Sequence, residues 1–99
     1  YRYQTVCCNK MDDQNTELYN IGGPLCYSGD VLGKDRKLPP LEEGDKIAML
    51  DCGAYTMAIL NRYNSHPFPA VVLLKDEKSE VVRKREDYTD LLSGERMLF

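Results

Sequence analysis

The sequence predicts a mostly β fold, a small barrel or sandwich with two short helices. Apolar runs of strand length recur along the chain, and they are rich in β-branched and aromatic residues. Irregular turns separate these runs, whereas a βαβ fold would place long amphipathic helices between its strands. The length of 99 residues is that of one small domain. We therefore expect one β-rich domain.

The composition is that of a globular chain. Hydrophobic residues make up 42% of the sequence and the formal net charge is −3, which argues against disorder. No apolar run approaches the roughly 20 residues of a membrane-spanning helix, and no signal-peptide pattern is present. The basic run at residues 83–85 is flanked by acidic residues, so we interpret it as a solvated edge and expect no nucleic-acid partner. Because the chain opens on Tyr1 without a methionine, it is predicted to be a piece of a longer protein.

The cysteines bear on compartment and on metal binding. They are Cys7, Cys8, Cys26 and Cys52. No C-x-x-C pair exists, and the one histidine, His66, has no partner at ligand spacing, so the sequence argues against a zinc site. Two disulfides are arithmetically possible. Nothing marks a secreted chain, however, and reduced thiols in a cytoplasmic protein are favoured.

In the first half of the chain, short strands alternate with turns. The predicted strands are residues 3–8, 17–21 and 46–50. Val31 and Leu32 continue the second strand beyond a polar bend, and the charged residues 33–36 are predicted as a turn. Residues 38–45 are predicted as an extended connector that closes in a turn at residues 43–45, because consecutive prolines fix φ and donate no backbone hydrogen bond.

The second half contains the two predicted helices and a hairpin. The predicted elements are a helix of one or two turns within residues 54–62, a strand at 70–74, its hairpin partner at 79–83 and a short helix ending at Leu92. The first of these strands is a continuous apolar run, so it is expected to be strongly buried. Residues 76–78 supply the hairpin turn. Asp87 or Thr89 would cap the last helix, and Gly94 would stop it.

A polar bend, here named the cysteine loop (residues 22–30), is the strongest candidate for chemistry. It places a thiol, a phenol, a hydroxyl and a carboxylate on Cys26, Tyr27, Ser28 and Asp30. A buried strand cannot hold so many polar groups without partners. We therefore expect a rigid loop at the end of a strand, where binding and catalytic groups concentrate.

Each of these side chains has two interpretations from the residues alone. Cys26 is either a reactive thiol, usable as a proton donor or nucleophile, or a small buried hydrophobe, and spacing alone favours the second. Ser28 and Asp30 either orient a ligand or another subunit's side chain, or they cap the turn backbone. The residues alone again favour capping.

Two further stretches are candidates for binding. At residues 53–55 a strand-to-helix junction offers free backbone N–H groups that suit a phosphate, and Tyr55 could add a hydroxyl. A core tyrosine beside a tight turn is an equal alternative. Residues 63–69 pack two aromatic residues and two prolines into a short loop that either walls a pocket or interface or is a stiffened surface loop. No paired carboxylates, glycine-rich phosphate loop or Ser-His-Asp order is present.

Four motifs, in order, carry a resemblance to a known family. They are G-G-P-L-C-Y-S-G-D-V-L, K-D-R-K-L-P-P-L-E-E-G-D, D-C-G-A-Y-T and Y-N-S-H-P-F-P-A-V-V-L. Together with the R-K-R-E-D-Y-T-D-L-L ending, they closely resemble the C-terminal β-domain of the ornithine/diaminopimelate/arginine decarboxylases, over about residues 19–92. These are pyridoxal-phosphate enzymes of the alanine-racemase-like fold type III.

The resemblance implies an architecture that these residues do not complete. It implies that residues 1–99 are the C-terminal, Greek-key-like β-barrel or sandwich domain of a homodimeric enzyme. The N-terminal TIM-barrel domain, with the cofactor lysine and most phosphate contacts, lies outside the sequence. The isolated chain is then expected to be inactive. A non-catalytic, decarboxylase-like binding or dimerisation module is the alternative.

The resemblance also implies roles for individual residues. Cys26 matches the cysteine that reaches the partner subunit's site and protonates the substrate α-carbon after CO2 leaves. Tyr55 matches a tyrosine that contacts the cofactor phosphate and sometimes the substrate. Asp30 matches an acidic position at the dimer contact, and Tyr63 an aromatic position lining the same region. Tyr27 departs from the pattern, since the family carries glutamate or aspartate there to read the distal amine. A tyrosine better suits a distal carboxyl, amide or bulkier group.

Overall fold

The computed structural model describes residues 3–98, which form a mostly β structure with two short α-helices. The elements are β1 (Thr5–Cys7), β2 (Glu17–Gly22), β3 (Val31–Leu38), β4 (Ile47–Met49), α1 (Gly53–Ala58), a 3₁₀ turn (Tyr63–Ser65), β5 (Val71–Lys75), β6 (Lys78–Arg83) and α2 (Tyr88–Leu91). The strands pair antiparallel as β1–β4, β2–β3 and β5–β6. The chain forms two compact units, of which the first ends at Ile59 and the second begins at Leu60. The predicted mostly β class with two short helices is confirmed.

The core of the first unit lies where β1 meets β3. Cys7 at the end of β1 and Leu38 at the end of β3 are each only 2% exposed. Antiparallel pairing brings Leu38 opposite Glu17 at the start of β2. Period-2 alternation then turns the neighbouring side chain, Lys37, to the solvent face, where it is exposed. The apolar ends of two short strands therefore make the centre of this unit.

The prediction of a charged turn at residues 33–36 is wrong, because these residues lie within β3. Backbone pairing with β2 forms the strand, and the charged side chains of Lys34 and Asp35 remain exposed. Gly33 is buried under a neighbouring side chain, since a Cβ there would lie 2.7 Å from Arg36 Nε. Asp35 adopts a φ of 52°, and its N–H donates to Asn20 Oδ1 at 3.0 Å. Residues 33–36 therefore have the composition of a turn, although they form a local irregularity within a long hairpin.

A polar network fixes the chain between the proline connector and β4. Asp45 accepts hydrogen bonds from Asn9 Nδ2 at 2.7 Å and from the Glu42 N–H at 2.8 Å, and it pairs with Lys10 Nζ at 2.8 Å. Lys10 Nζ also donates to the Pro40 carbonyl at 2.7 Å. The Lys10 ammonium, followed by the two other donors, lowers the pKa of the Asp45 carboxyl from 3.8 to about 2. The ionised carboxylate therefore closes the predicted 43–45 turn.

This network predicts a pH-dependent stability. Because the folded-state pKa of Asp45 lies below its ordinary value of 3.8, its contribution is fully present above that value and is lost as pH falls through about 2. Asp45→Asn should lower the thermal midpoint by several degrees at neutral pH, and the difference from wild type should shrink toward pH 2. Thermal scans at a series of pH values measure this, with the exposed Glu43→Gln as control. A difference that does not change with pH would remove Asp45 from the explanation.

The second unit contains the β5–β6 hairpin. Lys75 pairs with Lys78, and the two turn residues between them, Asp76 and Glu77, both have positive φ, at 51° and 61°. Positive φ at both central residues is the geometry of a type I′ turn. Two-residue hairpins favour this turn because its backbone twist matches that of the flanking strands. The predicted hairpin is confirmed, with a two-residue turn.

The predicted burial of the strand at residues 70–74 is wrong for the described structure. The exposed apolar residues of the hairpin are Val72, Leu73, Leu74, Val81 and Val82, each between 47% and 75% exposed. An apolar run forms a strand by its backbone pairing, but it is buried only if another surface covers it. The described residues of the second unit do not supply that surface.

The ends of the second unit are held by charged groups. Arg62 donates two hydrogen bonds to the Glu86 carboxylate, at 2.9 and 2.6 Å. Its guanidinium lies 4.2 Å from the centre of the Phe68 ring. Arg62, and after it the Phe68 N–H, lowers the pKa of the Glu86 carboxyl. Asp87 caps α2 in a reciprocal capping box with Asp90, as predicted, which satisfies two backbone donors at the start of the helix.

The state of the cysteines, metal-binding clusters and membrane-spanning helices can be stated for residues 3–98, the part of the chain that the structure describes. The four cysteines are free thiols. No group of three or more histidine, cysteine or acidic side chains in this part of the chain could hold a metal ion. None of its helices has the length and apolarity to cross a membrane.

Candidate functional site

The cysteine loop connects β2 to β3, at the end of a strand as predicted. Gly22 and Val31 are the last paired residues of the hairpin. One step further in, the Gly23 N–H donates to the Asp30 carbonyl at 2.8 Å. The two ends of the loop are therefore held side by side by the sheet and by one more backbone hydrogen bond.

The interior of the loop is also hydrogen-bonded. The Tyr27 N–H donates to the Leu25 carbonyl at 2.8 Å, and the Asp30 N–H donates to the Tyr27 carbonyl at 3.1 Å. The Asp30 carboxylate turns inward, where its Oδ2 accepts the Leu25 N–H at 2.9 Å. For Asp30, the backbone-capping interpretation is confirmed by this bond.

The thiol of the loop is accessible. Cys26 is exposed, so its interpretation as a small buried hydrophobe is wrong. Tyr27 is 60% exposed, and a Cβ at Gly29 would lie 2.6 Å from its ring. The tyrosine ring therefore lies against the backbone of Gly29. Exposure allows the thiol to meet a reacting group, which a core cysteine could not do.

Tyr55 lies in the first turn of α1 and is 77% exposed, so the alternative of a core tyrosine is wrong. The cap residue of this helix, Cys52, makes no side-chain hydrogen bond to the helix start. Thr56 is the first residue whose N–H reaches back to the Cys52 carbonyl, at 3.1 Å. The N–H groups before Thr56 precede the helical ladder, which leaves them directed out of the helix end. An exposed phenol therefore lies in the first turn that follows this helix end.

The loop at residues 63–69 belongs to the second unit and begins with the 3₁₀ turn. Tyr63 is 44% exposed, and Asn64 and Ser65 both have positive φ, at 56° and 59°. Glu86 holds the far end of the loop, since its Oε1 accepts the Phe68 N–H at 2.9 Å. Tyr63 is thus presented on an ordered, exposed turn.

The structure brings only some of the candidate residues together. Cys26, Tyr27 and Asp30 share one loop, Tyr55 lies on another element of the same unit, and Tyr63 lies in the second unit. Sequence reasoning missed Gly23 as a site residue: a side chain there would overlap the Asp30 carboxylate. The sequence contains one signal for this contact, since Gly23 precedes Asp30 by seven positions across a tight loop.

A family model matches residues 1–53 of the chain, and it describes the C-terminal sheet domain of pyridoxal-dependent decarboxylases. The matched residues include β1 to β4 and the whole cysteine loop. The match thus covers more than half of the chain, and it includes the exposed thiol.

Relatives and solved structures agree with this match. The diaminopimelate decarboxylase of Archaeoglobus fulgidus is 43% identical over 95 residues, which are 96% of this chain and 23% of the relative. The crystal structure of diaminopimelate decarboxylase from M. jannaschii aligns with a TM-score of 0.89 and 34% identity, covering 98% of this chain and 22% of that one. A second structure of that enzyme, in co-complex with L-lysine, aligns with a TM-score of 0.86 and 35% identity, covering 95% and 21%. The chain spans less than a quarter of the length of these relatives.

Proposed function

The chain belongs to the pyridoxal-dependent decarboxylases, as their C-terminal sheet domain, and we propose that it supplies half of an active site shared across a homodimer. The complete protein is proposed to be a cytoplasmic amino-acid carboxy-lyase with an N-terminal TIM-barrel domain. An exposed thiol on an internally hydrogen-bonded loop carries the proposal. A binding surface would not need a proton donor at that position.

The hairpins are proposed to be parts of a Greek-key-like barrel or sandwich that other segments of the protein complete. Support comes from the β5–β6 hairpin, whose Leu74 is 75% exposed and whose Val81 is 64% exposed. Large apolar side chains in a paired strand are stabilising only when a second layer covers them. The relatives, more than four times as long as the matched region, have the extra chain that such a layer requires.

The cofactor is proposed to be pyridoxal 5′-phosphate, with Tyr55 as a phosphate contact. The start of α1 leaves room for an anion: Cys52 supplies no side-chain cap, and a Cβ at Gly53 would meet open space beyond its chain neighbours and the helix's own backbone. The exposed Tyr55 hydroxyl can donate at the same helix end. When bound, pyridoxal phosphate supplies the electron sink that makes loss of CO2 from an α-amino acid feasible.

Cys26 is proposed to be the general acid. Its role is to hold a proton at Sγ and deliver it to the substrate α-carbon after CO2 has left. Cys26 is exposed on this loop, whose backbone is held by the Gly23–Asp30 and Leu25–Asp30 hydrogen bonds. Asp30 and Tyr63 are proposed to lie at the dimer contact, which would bring this acid to the partner's site.

The substrate is proposed to be an amino acid whose distal group is read by Tyr27 and Tyr55. One crystal structure of the M. jannaschii relative is a co-complex with L-lysine. Tyr27 is a neutral phenol, so it cannot form an ion pair with a distal ammonium group; it can donate to a carboxylate or an amide. We therefore expect a distal carboxyl, amide or bulkier group to be favoured over a lone distal ammonium.

A product screen of the full-length protein tests this function. We expect release of CO2, with the matching amine as product, from a panel of diamino acids and their carboxyl- and amide-bearing analogues in the presence of pyridoxal phosphate. Tyr27→Glu should shift the preference toward a distal ammonium group by about 10- to 100-fold in kcat/KM, since it restores one ion pair. No CO2 from any member of the panel would contradict the enzymatic proposal.

A further inference from the structure

We propose that Asp30 is a positioning residue, which holds Cys26 in its reactive place by closing the cysteine loop from within. The inference rests on the proposed function, in which Cys26 delivers a proton. It assigns Asp30 a role inside its own chain, beyond the proposed dimer contact. The observations that carry it are one side-chain hydrogen bond and one glycine.

The hydrogen bond connects the two arms of the loop. Asp30 Oδ2 accepts the N–H of Leu25, the residue directly before Cys26, at 2.9 Å. The same aspartate accepts the Gly23 N–H at its backbone carbonyl, at 2.8 Å. One residue therefore fixes the incoming arm at two points, and one of them lies one peptide unit from the thiol. A carboxylate acceptor makes a stronger bond to a backbone N–H than a neutral group does.

Gly23 is needed because this carboxylate occupies the space where a side chain would stand. A Cβ at Gly23 would overlap both carboxylate oxygens of Asp30. The φ of Gly23 is not positive, so a side chain at this position would be opposed by the Asp30 carboxylate and not by the backbone conformation. An alanine at Gly23 could be accommodated only if the carboxylate rotated away, and the bond to Leu25 would then be lost.

This geometry couples two positions that are seven residues apart. Gly23→Ala and Asp30→Ala should have the same consequence, because each breaks the bond between Asp30 and Leu25. Combined, they should cost no more than either alone, since the overlap disappears with the carboxylate. A residue whose role was limited to a contact with another subunit would show no such coupling to Gly23.

The experiment uses the full-length protein and four variants: Asp30→Ala, Asp30→Asn, Gly23→Ala and the Gly23→Ala/Asp30→Ala double variant. We expect kcat to fall by about 10- to 100-fold in the alanine variants, since a small displacement of a catalytic group is costly. KM should change less than about twofold, because Asp30 acts on proton delivery and not on substrate capture. Asp30→Asn keeps an oxygen acceptor, so it should restore most of the turnover. Asp12→Ala, an exposed aspartate of the same unit, is the matched control.

A second measurement does not depend on catalysis. Hydrogen exchange of the Leu25 amide, resolved within a peptide that covers residues 22–30, should be at least about tenfold faster in the alanine variants and close to wild type in Asp30→Asn. Sedimentation of each variant reports whether the dimer persists. We expect the wild-type oligomeric state throughout.

The outcomes separate this inference from the proposed function. An active enzyme in which Asp30→Ala keeps the wild-type kcat and Leu25 protection overturns the inference and leaves the function intact. A dimer that dissociates while the Leu25 amide stays protected also overturns it. A wild-type protein that releases no CO2 removes the proposed function, and faster Leu25 exchange in the variants would then still support closure of the loop by Asp30.

Discussion

Replacing Cys26 by serine in the full-length protein should lower turnover by about 10²- to 10⁴-fold, the range in which a positioned general acid contributes. A hydroxyl is a much weaker acid than a thiol, so the α-carbon would be protonated slowly or by water. Water arrives from more than one direction, whereas the loop presents the thiol from one. We therefore also expect the configuration of the product, read from a deuteron introduced at the α-carbon in D2O, to become mixed.

The matched control for this experiment is Cys8→Ser. Cys8 is also an exposed thiol of the first unit, but it lies outside the cysteine loop. Its replacement should leave both turnover and product configuration unchanged. Wild-type turnover and configuration in Cys26→Ser would remove Cys26 from the mechanism and leave only a role in the fold.

Leu38→Ala should reduce the stability of the first unit by about 2–5 kcal/mol, the usual cost of truncating a fully buried leucine. Leu38 is 2% exposed at the end of β3, and Cys7 of the contacting strand β1 is equally buried. The unit contains few other buried side chains among the described residues, so the lost contacts have no nearby replacement. Destabilisation at β3 should also loosen the cysteine loop, which directly precedes that strand.

Hydrogen exchange of the β2–β3 amides in the native full-length protein measures this effect. Exchange reports the free energy of opening this unit without assuming that the whole protein unfolds in one step. Leu18→Ala on β2 is the control: Leu18 is 65% exposed, and its loss should cost less than about 0.5 kcal/mol. Equal effects of the two substitutions would show that Leu38 is not central to the core.

The sequence predicted the elements that local chemistry determines. The β5–β6 hairpin followed from its apolar run and acidic turn, and the α2 cap followed from Asp87. The charged part of β3 could not be predicted in this way, because its pairing with β2 depends on a partner distant in sequence. Burial of β5 was predicted from its apolar composition alone. A strand is buried only when another surface covers it, and composition does not show whether such a surface is present.

The site shows the same division. The polar composition of residues 22–30 predicted a loop at a strand end, and the resemblance to decarboxylases pointed to Cys26 within it. The inward turn of the Asp30 carboxylate onto the Leu25 N–H could not be predicted, since it depends on the path of the loop backbone. The overlap between a side chain at Gly23 and this carboxylate depends on the same backbone path, so it could not be predicted from the sequence either.

A mixed-dimer assay tests the central claim most directly. Two inactive variants of the full-length protein would be combined: Cys26→Ser, and one that lacks the cofactor lysine of the other domain. If each site takes its acid and its lysine from different subunits, random reassociation should restore about a quarter of wild-type turnover, because half of the dimers are mixed and each has one intact site. No recovery, with mixed dimers demonstrated by differential tagging, would contradict an active site that this loop completes across a subunit boundary.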